Sequence, residues 1–360
     1  WNMQKPNKTL NACILYIAAL SGVGYSSGQE IRIFFVRYGR FGLVTLSAVP
    51  IILFSVSLIF ILTSRKKALS GACSIFIPDK HKYVEEFVNS VIFLVMVLGV
   101  VLPITATGSL MHRLFGIPVW LGNFVLTVLL AVALFVKNMR LVIKMITPVM
   151  YIFIGCICFV CIYVLTSNEP VHEPVYEREE QTVKAIWSML EYVSYNLLAL
   201  FGVLFSIGRE LNSAKSAVIC STIGSVVIGA TVIMQYFTIV KLGSAAFSSD
   251  MPMLYAASYV SPYLHMFFGL CILFGCFSTS LSCFNSLLTS TLLICKKLKL
   301  RFKNKYYVVA GFCLTVAFIL SLWGFSNIIA YAYPVIGTLG LPIHILLIFS
   351  FFRAFKYSRN

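Results

Sequence analysis

The middle of the first apolar segment is rich in glycine and serine. It reads Ser21-Gly22-Val23-Gly24-Tyr25-Ser26-Ser27-Gly28, and three glycines and three serines within eight residues weaken a helix there. Where a helix unwinds at membrane depth, free backbone amides can bind a carboxylate and free carbonyls can bind a cation. The run therefore indicates a binding site without a catalytic side chain. The alternative is close helix packing, because Gly24 and Gly28 have the spacing of tightly packed helix pairs.

An acidic residue follows this run directly. Glu30 stands between Gln29 and Ile31, so its carboxylate is predicted to lie within or near the outer membrane region, where it needs a partner. It could attract the ammonium group of a solute, carry a proton or form part of an outer gate. It could equally form an interfacial ion pair with Arg32 or Arg37.

Polar side chains also interrupt two later apolar segments. Tyr195 and Asn196 lie in the sixth segment and are typical of a polar pocket wall, although Tyr195 could instead belong to an interfacial aromatic belt. The run 277–286 in the eighth segment is rich in hydroxyl groups. Those of Thr279 and a neighbouring serine, together with carbonyls freed in the first helix, suit a sodium ion. The alternative is that these hydroxyls bind carbonyls of their own helix.

Residue patterns of enzymes and ATP-driven pumps are missing from the sequence. It has no Walker sequence, zinc signature or nucleophile elbow, and His265 and His344 lack the spacing of metal ligands. Nearly all of the 11 cysteines lie in apolar runs, where cysteine serves as a small apolar side chain. The sequence therefore predicts neither an enzyme nor a resident cofactor.

These residues must be positioned by helices that cross a membrane. Hydrophobic residues make up 59% of the 360 residues and charged residues only 11%, too few to cover the surface of a soluble domain. A span needs about 20 apolar residues. On this rule we predict a single all-α membrane domain, 1–360, with ten transmembrane helices at 9–36, 42–62, 85–112, 117–136, 139–166, 184–210, 213–241, 258–295, 306–324 and 327–353.

The net charge of +16 is distributed as expected for a membrane protein. Basic clusters lie at 65–67, 137–144, 296–305 and 353–359, all on one predicted side, whereas the longest predicted external loop, 167–180, is acidic. Because positive charge marks the cytoplasmic side, we predict that both termini are cytoplasmic. The charge then sets topology, and nucleic acid is not an expected partner; the oligomeric state is not predicted.

The acidic loop divides the ten predicted helices into two sets of five. An odd number of helices per set places two homologous halves in opposite orientations, an inverted repeat, with predicted bounds of 9–166 and 184–353. Two pairs of similar segments support the inverted repeat. Ser26-Ser-Gly-Gln-Glu-Ile31 is similar to Ser206-Ile-Gly-Arg-Glu-Leu211, and Pro148 in the fifth helix corresponds to Pro334 in the tenth.

The run Gly22-Val-Gly-Tyr-Ser-Ser-Gly-Gln-Glu-Ile31 resembles the first helix of the bacterial YkvI-type membrane proteins. Similar stretches are 192–196 and 252–255, while Tyr25 stands where phenylalanine is usual. That family in turn resembles the amino acid–polyamine–organocation superfamily. The resemblance implies a LeuT-type fold with broken helices one and six, in the cytoplasmic membrane of a bacterium.

The resemblance also implies a function and a site. It implies a symporter, driven by sodium or protons, for a small amino-acid-like or amine solute. The alternative is a nutrient-sensing or channel-like subunit, because membrane subunits of spore germinant receptors share this fold. The predicted substrate site consists of Ser21, Gly22, Val23, Gly24, Tyr25, Glu30, Thr105, Tyr195 and Asn196. The predicted ion site consists of Gly22, Tyr25, Thr279 and Ser280, with sodium as the possible ion.

Overall fold

A computed structural model describes residues 8–66, 82–134, 139–168, 176, 181–300 and 304–356. Within these ranges the regular structure is helical, without a strand. The helices of the first half are α1 (Lys8–Leu20), α2 (Val23–Ser27), α3 (Gln29–Phe34), α4 (Gly39–Lys66), α5 (Lys82–Phe115), α6 (Val119–Ala133) and α7 (Met139–Thr166). Those of the second half are α8 (Thr182–Ala199), α9 (Phe201–Glu210), α10 (Ala214–Ser248), α11 (Pro252–Val260), α12 (Pro262–Lys297), α13 (Lys305–Ser321), α14 (Phe325–Asn327) and α15 (Tyr333–Lys356).

Five helical stretches of the described chain are long and apolar enough to cross a membrane. They are Gln29–Arg65, α5, α10, α12 and Phe325–Arg353. The pair α8 and α9, bent by 56°, makes a sixth if it is counted as one span. The helices α1, α6 and α13 and the stretch Ile152–Thr166 are apolar but shorter. The chain is thus a multi-pass membrane protein, and the count of ten spans stays a prediction.

The outer surface of the helices is apolar, as contact with lipid requires. Large hydrophobic side chains are exposed on several different helices, among them Val44, Ile51, Phe312 and Phe349. A water-soluble protein rarely exposes so much apolar surface. Polar side chains such as Gln29, Glu30 and Gln235 are buried instead. The interior is also largely hydrophobic, so both the surface and the core of the helices are apolar.

Three long helix pairs form the frame around the first helices. α5 packs along α12, α15 along α8, and α4 along α10. Between α8 and α15 the backbones come so close that a Cβ atom on Gly337 would overlap the backbone of Glu191. The hydroxyl of Ser194 donates to the carbonyl of Gly337 at 2.6 Å, which holds the pair together. Such contacts through small residues are a common way to join membrane helices.

Helix bounds differ from the prediction at several places. Where one helix was predicted at 258–295, the structure has parts of two: α11 ends at Val260 and α12 begins at Pro262. The hydroxyl of Ser261 between them accepts from the amide of Tyr263 at 3.2 Å. α10 extends to Ser248 with a kink at Gly243. Most of the acidic loop 167–180 and the side chains of 139–151 lie outside the described residues.

Candidate functional site

The first apolar segment is interrupted twice. α1 ends at Leu20, and the short α2 starts at Val23 after the extended Gly22. The amide of Gly22 donates to the carbonyl of Leu20 at 2.8 Å, a contact too local for an α-helix. α2 ends after five residues, and α3 starts on the far side of Gly28. The first interruption lies within the glycine- and serine-rich run.

The second interruption redirects the chain. Gly28 has φ of +76°, a left-handed conformation that residues with a side chain rarely adopt, and a Cβ there would lie 2.8 Å from Cγ of Met253. In a continuous helix Gly24 and Glu30 would be about 9 Å apart along the axis and on different faces. Here a Cβ on Gly24 would overlap the Glu30 carboxyl group. The turn at Gly28 therefore folds the Glu30 carboxyl back onto Gly24.

The Glu30 carboxyl group is buried without a counter-charge. Only 3% of the residue is exposed, and Oε2 has no hydrogen-bond partner within the described ranges. No Lys or Arg of the described chain acts on it. Arg32, one of the two candidates for an interfacial ion pair, donates to Oε1 of Gln29 at 3.0 Å and to the carbonyl of Phe247 at 2.6 Å. A lone buried carboxylate is costly and marks a functional position in a membrane protein.

Three tyrosines on two other helices lie near α3, which carries Glu30. We call Tyr192, Tyr195 and Tyr333 the tyrosine cluster. α8 contacts α3, and the ring of Tyr192 packs against Phe34 with centroids 5.6 Å apart. The rings of Tyr195 and Tyr333 are stacked with centroids 3.8 Å apart. Tyr192 and Tyr333 are buried and Tyr195 is half-buried, so the cluster places aromatic surface next to α3.

Tyr333 was not among the predicted site residues. It is the first residue of α15 and directly follows a π-helical turn at Ile328–Ala332. π-helical turns are rare and often occur at functional sites. Their wider winding shifts the register of the residues that follow, and hydropathy does not reveal such a shift.

α10 contributes a second polar group that sequence reasoning missed. Tyr25 forms a hydrogen bond with the hydroxyl of Thr231, and Ile239 lies against Gly28, so this face of α10 meets α2 and α3. Gln235 is on the same face, one turn from each. It is fully buried, and neither end of its amide has a partner in the described chain. The only sequence signal was an isolated amide in an apolar run.

The remaining predicted substrate residues lie on elements that adjoin α2 and α3. α2 contacts α5 and α12, and α3 contacts α8. Thr105 on α5 is fully buried and its hydroxyl has no partner in the described chain. The hydroxyl of Ser21 donates to the carbonyl of Ile17 at 2.9 Å. Asn196 donates to the carbonyl of Tyr192 at 2.9 Å, so its amide nitrogen is engaged within α8.

The bend in the sixth segment lies beyond Tyr195 and Asn196. α8 continues through Asn196 to Ala199, and the 56° bend between α8 and α9 is at Leu200. Leu200 keeps α-helical dihedral angles and donates to the carbonyl of Asn196 at 3.0 Å. The segment is therefore bent at this point with little loss of backbone hydrogen bonding, unlike the first segment.

The predicted ion residues on α12 have different surroundings. The hydroxyl of Ser280 donates to the carbonyls of Cys276 at 2.7 Å and Phe277 at 3.1 Å, as the alternative interpretation expected. Thr279 is half-buried. The carbonyl of Tyr25 accepts from the amide of Gly28 at 3.1 Å, and Gly22 faces open space. Within the described ranges no group of three or more His, Cys, Asp or Glu residues could hold a metal ion.

A polar network joins the ends of four segments on one side of the molecule. Gln29 donates to the hydroxyl of Ser326 at 2.7 Å, and Ser326 in turn donates to Asp250. Arg113 lies 3.9 Å from the other oxygen of Asp250. Beside it is a cavity of about 320 Å³ lined by Ser109, His112, Arg113, Val119 and Asp250. We call this polar network the outer network, because the predicted topology would place it on the external side. It includes Gln29 of α3, which precedes Glu30 in the chain.

Comparison with known proteins assigns the fold. No family model matches the chain. The protein named "Uncharacterized protein YyaD" from Bacillus subtilis (strain 168) is 22% identical over 341 residues, covering 93% of this chain and 94% of the relative. The resemblance to YkvI-type proteins is not confirmed.

Two solved transporters are similar in structure at low identity. Inward-facing Mhp1 superposes with a TM-score of 0.66 at 13% identity, over 96% of this chain and 76% of that chain. Closed Mhp1, a nucleobase-cation-symport-1 family transporter with bromovinylhydantoin bound, gives 0.59 at 11%, over 94% and 77%. The Eremococcus coleocola manganese transporter, in complex with an aromatic bis-isothiourea substituted compound, gives 0.55 at 13%, over 96% and 78%. The chain therefore has the LeuT-like, all-α membrane fold of these transporters.

Proposed function

We propose that the protein is a secondary transporter that carries a small amino-acid-like or amine solute across the membrane by alternating access. The fold is that of two solved transporters, and the described residues contain no group of three or more His, Cys, Asp or Glu that could hold a metal ion. The observation that carries the proposal is the unpartnered Glu30 carboxyl group, enclosed beside an interrupted helix. A protein tolerates such a group where a ligand or ion completes it.

The helices can be grouped into ten passes in support of this proposal. The passes would be α1 to α3, α4, α5, α6, α7, α8 with α9, α10, α12, α13, and α14 with α15, and α11 would lie outside them. In this arrangement the first and sixth passes are the broken ones. Both termini would be cytoplasmic in a bacterial cytoplasmic membrane, which puts the outer network on the external side.

The proposed substrate site surrounds α2. It comprises the backbone of Ser21 to Tyr25, the carboxyl of Glu30, Thr105 and the α8 wall with Tyr195 and Asn196, and we now add Gln235 and Tyr333. The partnerless atoms of Glu30, Thr105 and Gln235 are the groups that a bound solute would satisfy, because buried polar atoms are normally hydrogen-bonded.

The coupling ion is proposed to be sodium or a proton. A sodium ion would lie among Gly22, Tyr25, Thr279 and Ser280, at the contact between α2 and α12. The hydroxyl oxygen of Ser280 donates its hydrogen to its own helix, which leaves its lone pairs free for a cation. A proton would instead be bound by Glu30.

Counterflow in proteoliposomes tests transport directly. Vesicles containing the purified protein are loaded with unlabelled amino acids or amines, and uptake of the same labelled solute is followed with and without sodium or a pH gradient. We expect exchange that exceeds that of protein-free vesicles and is lost in Gly24→Leu, whose side chain would displace the Glu30 carboxyl. Binding of a solute without any exchange would contradict the proposal.

A further inference from the structure

Among the described side chains near α2, the charge is negative. Glu30 is the charged group against Gly24, and Arg32 and Arg113 already have partners: Arg32 is bonded to Gln29 and Phe247, and Arg113 lies beside Asp250. A buried carboxylate gains most from a ligand that brings a positive charge, because separation from water strengthens the attraction. The unpartnered Oε2 of Glu30 therefore favours a cationic ligand.

The Glu30 carboxyl group occupies the position at which a solute carboxylate was expected to bind. The sequence suggested that backbone amides at the start of the second half-helix would hold such a group. In the structure the Glu30 carboxyl lies against Gly24 at this point, and two carboxylates at close range repel each other. The other partnerless groups, on Thr105 and Gln235, are neutral. The site thus offers a counter-charge for an ammonium group and none for a carboxylate.

Aromatic rings provide the rest of the environment that an amine requires. The faces of tyrosine rings attract cations, and the attraction increases away from water. The tyrosine cluster lies on α8 and α15, which pack against each other, and α8 contacts α3, which carries Glu30. An alkylammonium group next to Glu30 would therefore meet a carboxylate on one side and aromatic surface on the other.

We propose that the site selects organic amines with a net positive charge over the corresponding zwitterionic amino acids, with Glu30 as counter-charge and the tyrosine cluster as the wall of the site. This inference rests on the proposed transport function and narrows its substrate class. It assigns binding roles to Tyr192 and Tyr333, and it makes the absence of a carboxylate on the solute a condition for binding.

The test compares amines with the amino acids that differ from them by one carboxylate. The pairs are n-butylamine with norvaline, phenethylamine with phenylalanine, and putrescine with ornithine. Thermal unfolding of the full-length protein in detergent is followed at constant pH and sodium, because a ligand that binds only the folded state raises the unfolding temperature. We expect at least one amine to raise this temperature in a saturable manner, and its parent amino acid to leave it unchanged.

Two sets of variants locate the binding. Glu30→Gln should weaken amine binding at least about tenfold, since it removes a buried counter-charge at nearly constant shape. The control Glu86→Gln removes a carboxylate that is 62% exposed and paired with Lys82, so it should leave binding unchanged. Tyr195→Phe keeps an aromatic face and should retain affinity, whereas Tyr195→Leu should lose roughly two- to tenfold. If Glu30→Gln does not fold, the comparison of Tyr195→Phe with Tyr195→Leu tests the proposed amine site instead.

Three results would overturn the inference: no stabilisation by any of the amines, equal stabilisation by amine and amino acid, or unchanged affinity in folded Glu30→Gln. Counterflow with the same solutes separates the inference from transport itself. Exchange of a labelled amino acid without binding of amines would leave the transporter proposal standing and reject the selectivity. Binding of amines without exchange would support the site and reject transport.

Discussion

At the scale of single residues, the proposed substrate site depends on the close contact between Gly24 and the Glu30 carboxyl group. Gly24→Ala adds a methyl group where the carboxyl group lies, so the carboxyl must move. We expect loss of solute binding and a decrease in the free energy of unfolding of about 1–3 kcal/mol, the usual cost of overpacking. Thermal unfolding and ligand-induced stabilisation measure the two effects.

Gly311→Ala is the matched control for this substitution. Gly311 lies in α13, and a Cβ there would meet no atom within 4 Å. Replacement of a helical glycine by alanine in open space should raise stability by about 0.5–1 kcal/mol and leave binding unchanged. Equal behaviour of the two variants would contradict a special role for Gly24.

Replacing Gln235 is expected to raise the stability of the protein while it weakens solute binding. Its amide is fully buried without a partner in the described chain, so Gln235→Leu removes a polar group that the fold does not satisfy. We expect the free energy of unfolding to rise by about 1–2 kcal/mol while solute binding weakens. A fall in stability would mean that the amide has a structural partner, and its role in the site would be withdrawn.

Single residues were predictable where the sequence itself is unusual. Glycine and serine in an apolar run predicted a weakened helix at 21–28, and the structure is interrupted at Gly22 and Gly28. The roles of these residues and of Glu30 in a site stay predictions. Gln235 and Tyr333 were missed because their positions depend on which face of α10 meets α2 and on the π-helical turn before α15. Both are properties of tertiary contacts, which hydropathy in one chain does not encode.

At the scale of elements, the left-handed turn at Gly28 positions α3. Gly28→Ala should cost about 1–2 kcal/mol for the positive φ, and more because its Cβ would lie 2.8 Å from Met253. A continuous α2–α3 helix would also carry Glu30 away from Gly24. We therefore expect loss of exchange in counterflow together with reduced thermal stability.

Gly116 offers a control with the same backbone conformation. It has φ of +69° between α5 and α6, and a Cβ there would meet nothing within 4 Å. Gly116→Ala should carry only the conformational cost and retain exchange. If both variants retain exchange, the turn at Gly28 does not serve the site.

Other elements show which boundaries local sequence can reveal. The start of α12 has an explicit signal, Ser261 followed by Pro262, because serine caps helices and proline is favoured in the first turn. The hydropathy-based prediction missed this helix start because it lies within a long apolar run. The bend at Leu200 has a weaker signal, since Leu200 keeps helical dihedral angles and Gly202 follows only in the first turn of α9.

At the scale of the whole molecule, hydropathy predicted an all-α membrane protein but not the number of spans. Long stretches such as α5 and α12 are unambiguous, whereas α6, with 15 residues, is shorter than a bilayer requires. The LeuT-like fold came from resemblance and from the solved transporters, because a hydropathy profile does not specify how helices pack. Substrate and coupling ion are set by the site and not by the fold.

Alternating access requires the outer network to open. Asp250→Asn weakens its contacts with Arg113 and Ser326, so the population of outward-open molecules should increase. With native cysteines replaced, Ser109→Cys in the adjoining cavity should react several-fold faster with an impermeant thiol reagent applied from outside. An unchanged rate would contradict a gating role, and Ser258→Cys, at an exposed position of α11 outside the proposed passes, would control for reagent access.

The exposure of the outer network has a consequence for physiology. Side chains of Arg113 and Asp250 are 34% and 49% exposed, so dissolved ions reach this pair and weaken its attraction. If these contacts keep the external entrance shut, the salinity of the medium adjusts how long it stays shut. Moving the cell from a dilute to a salty medium would then change the rate of the transport cycle, although neither the solute nor the amount of protein has changed.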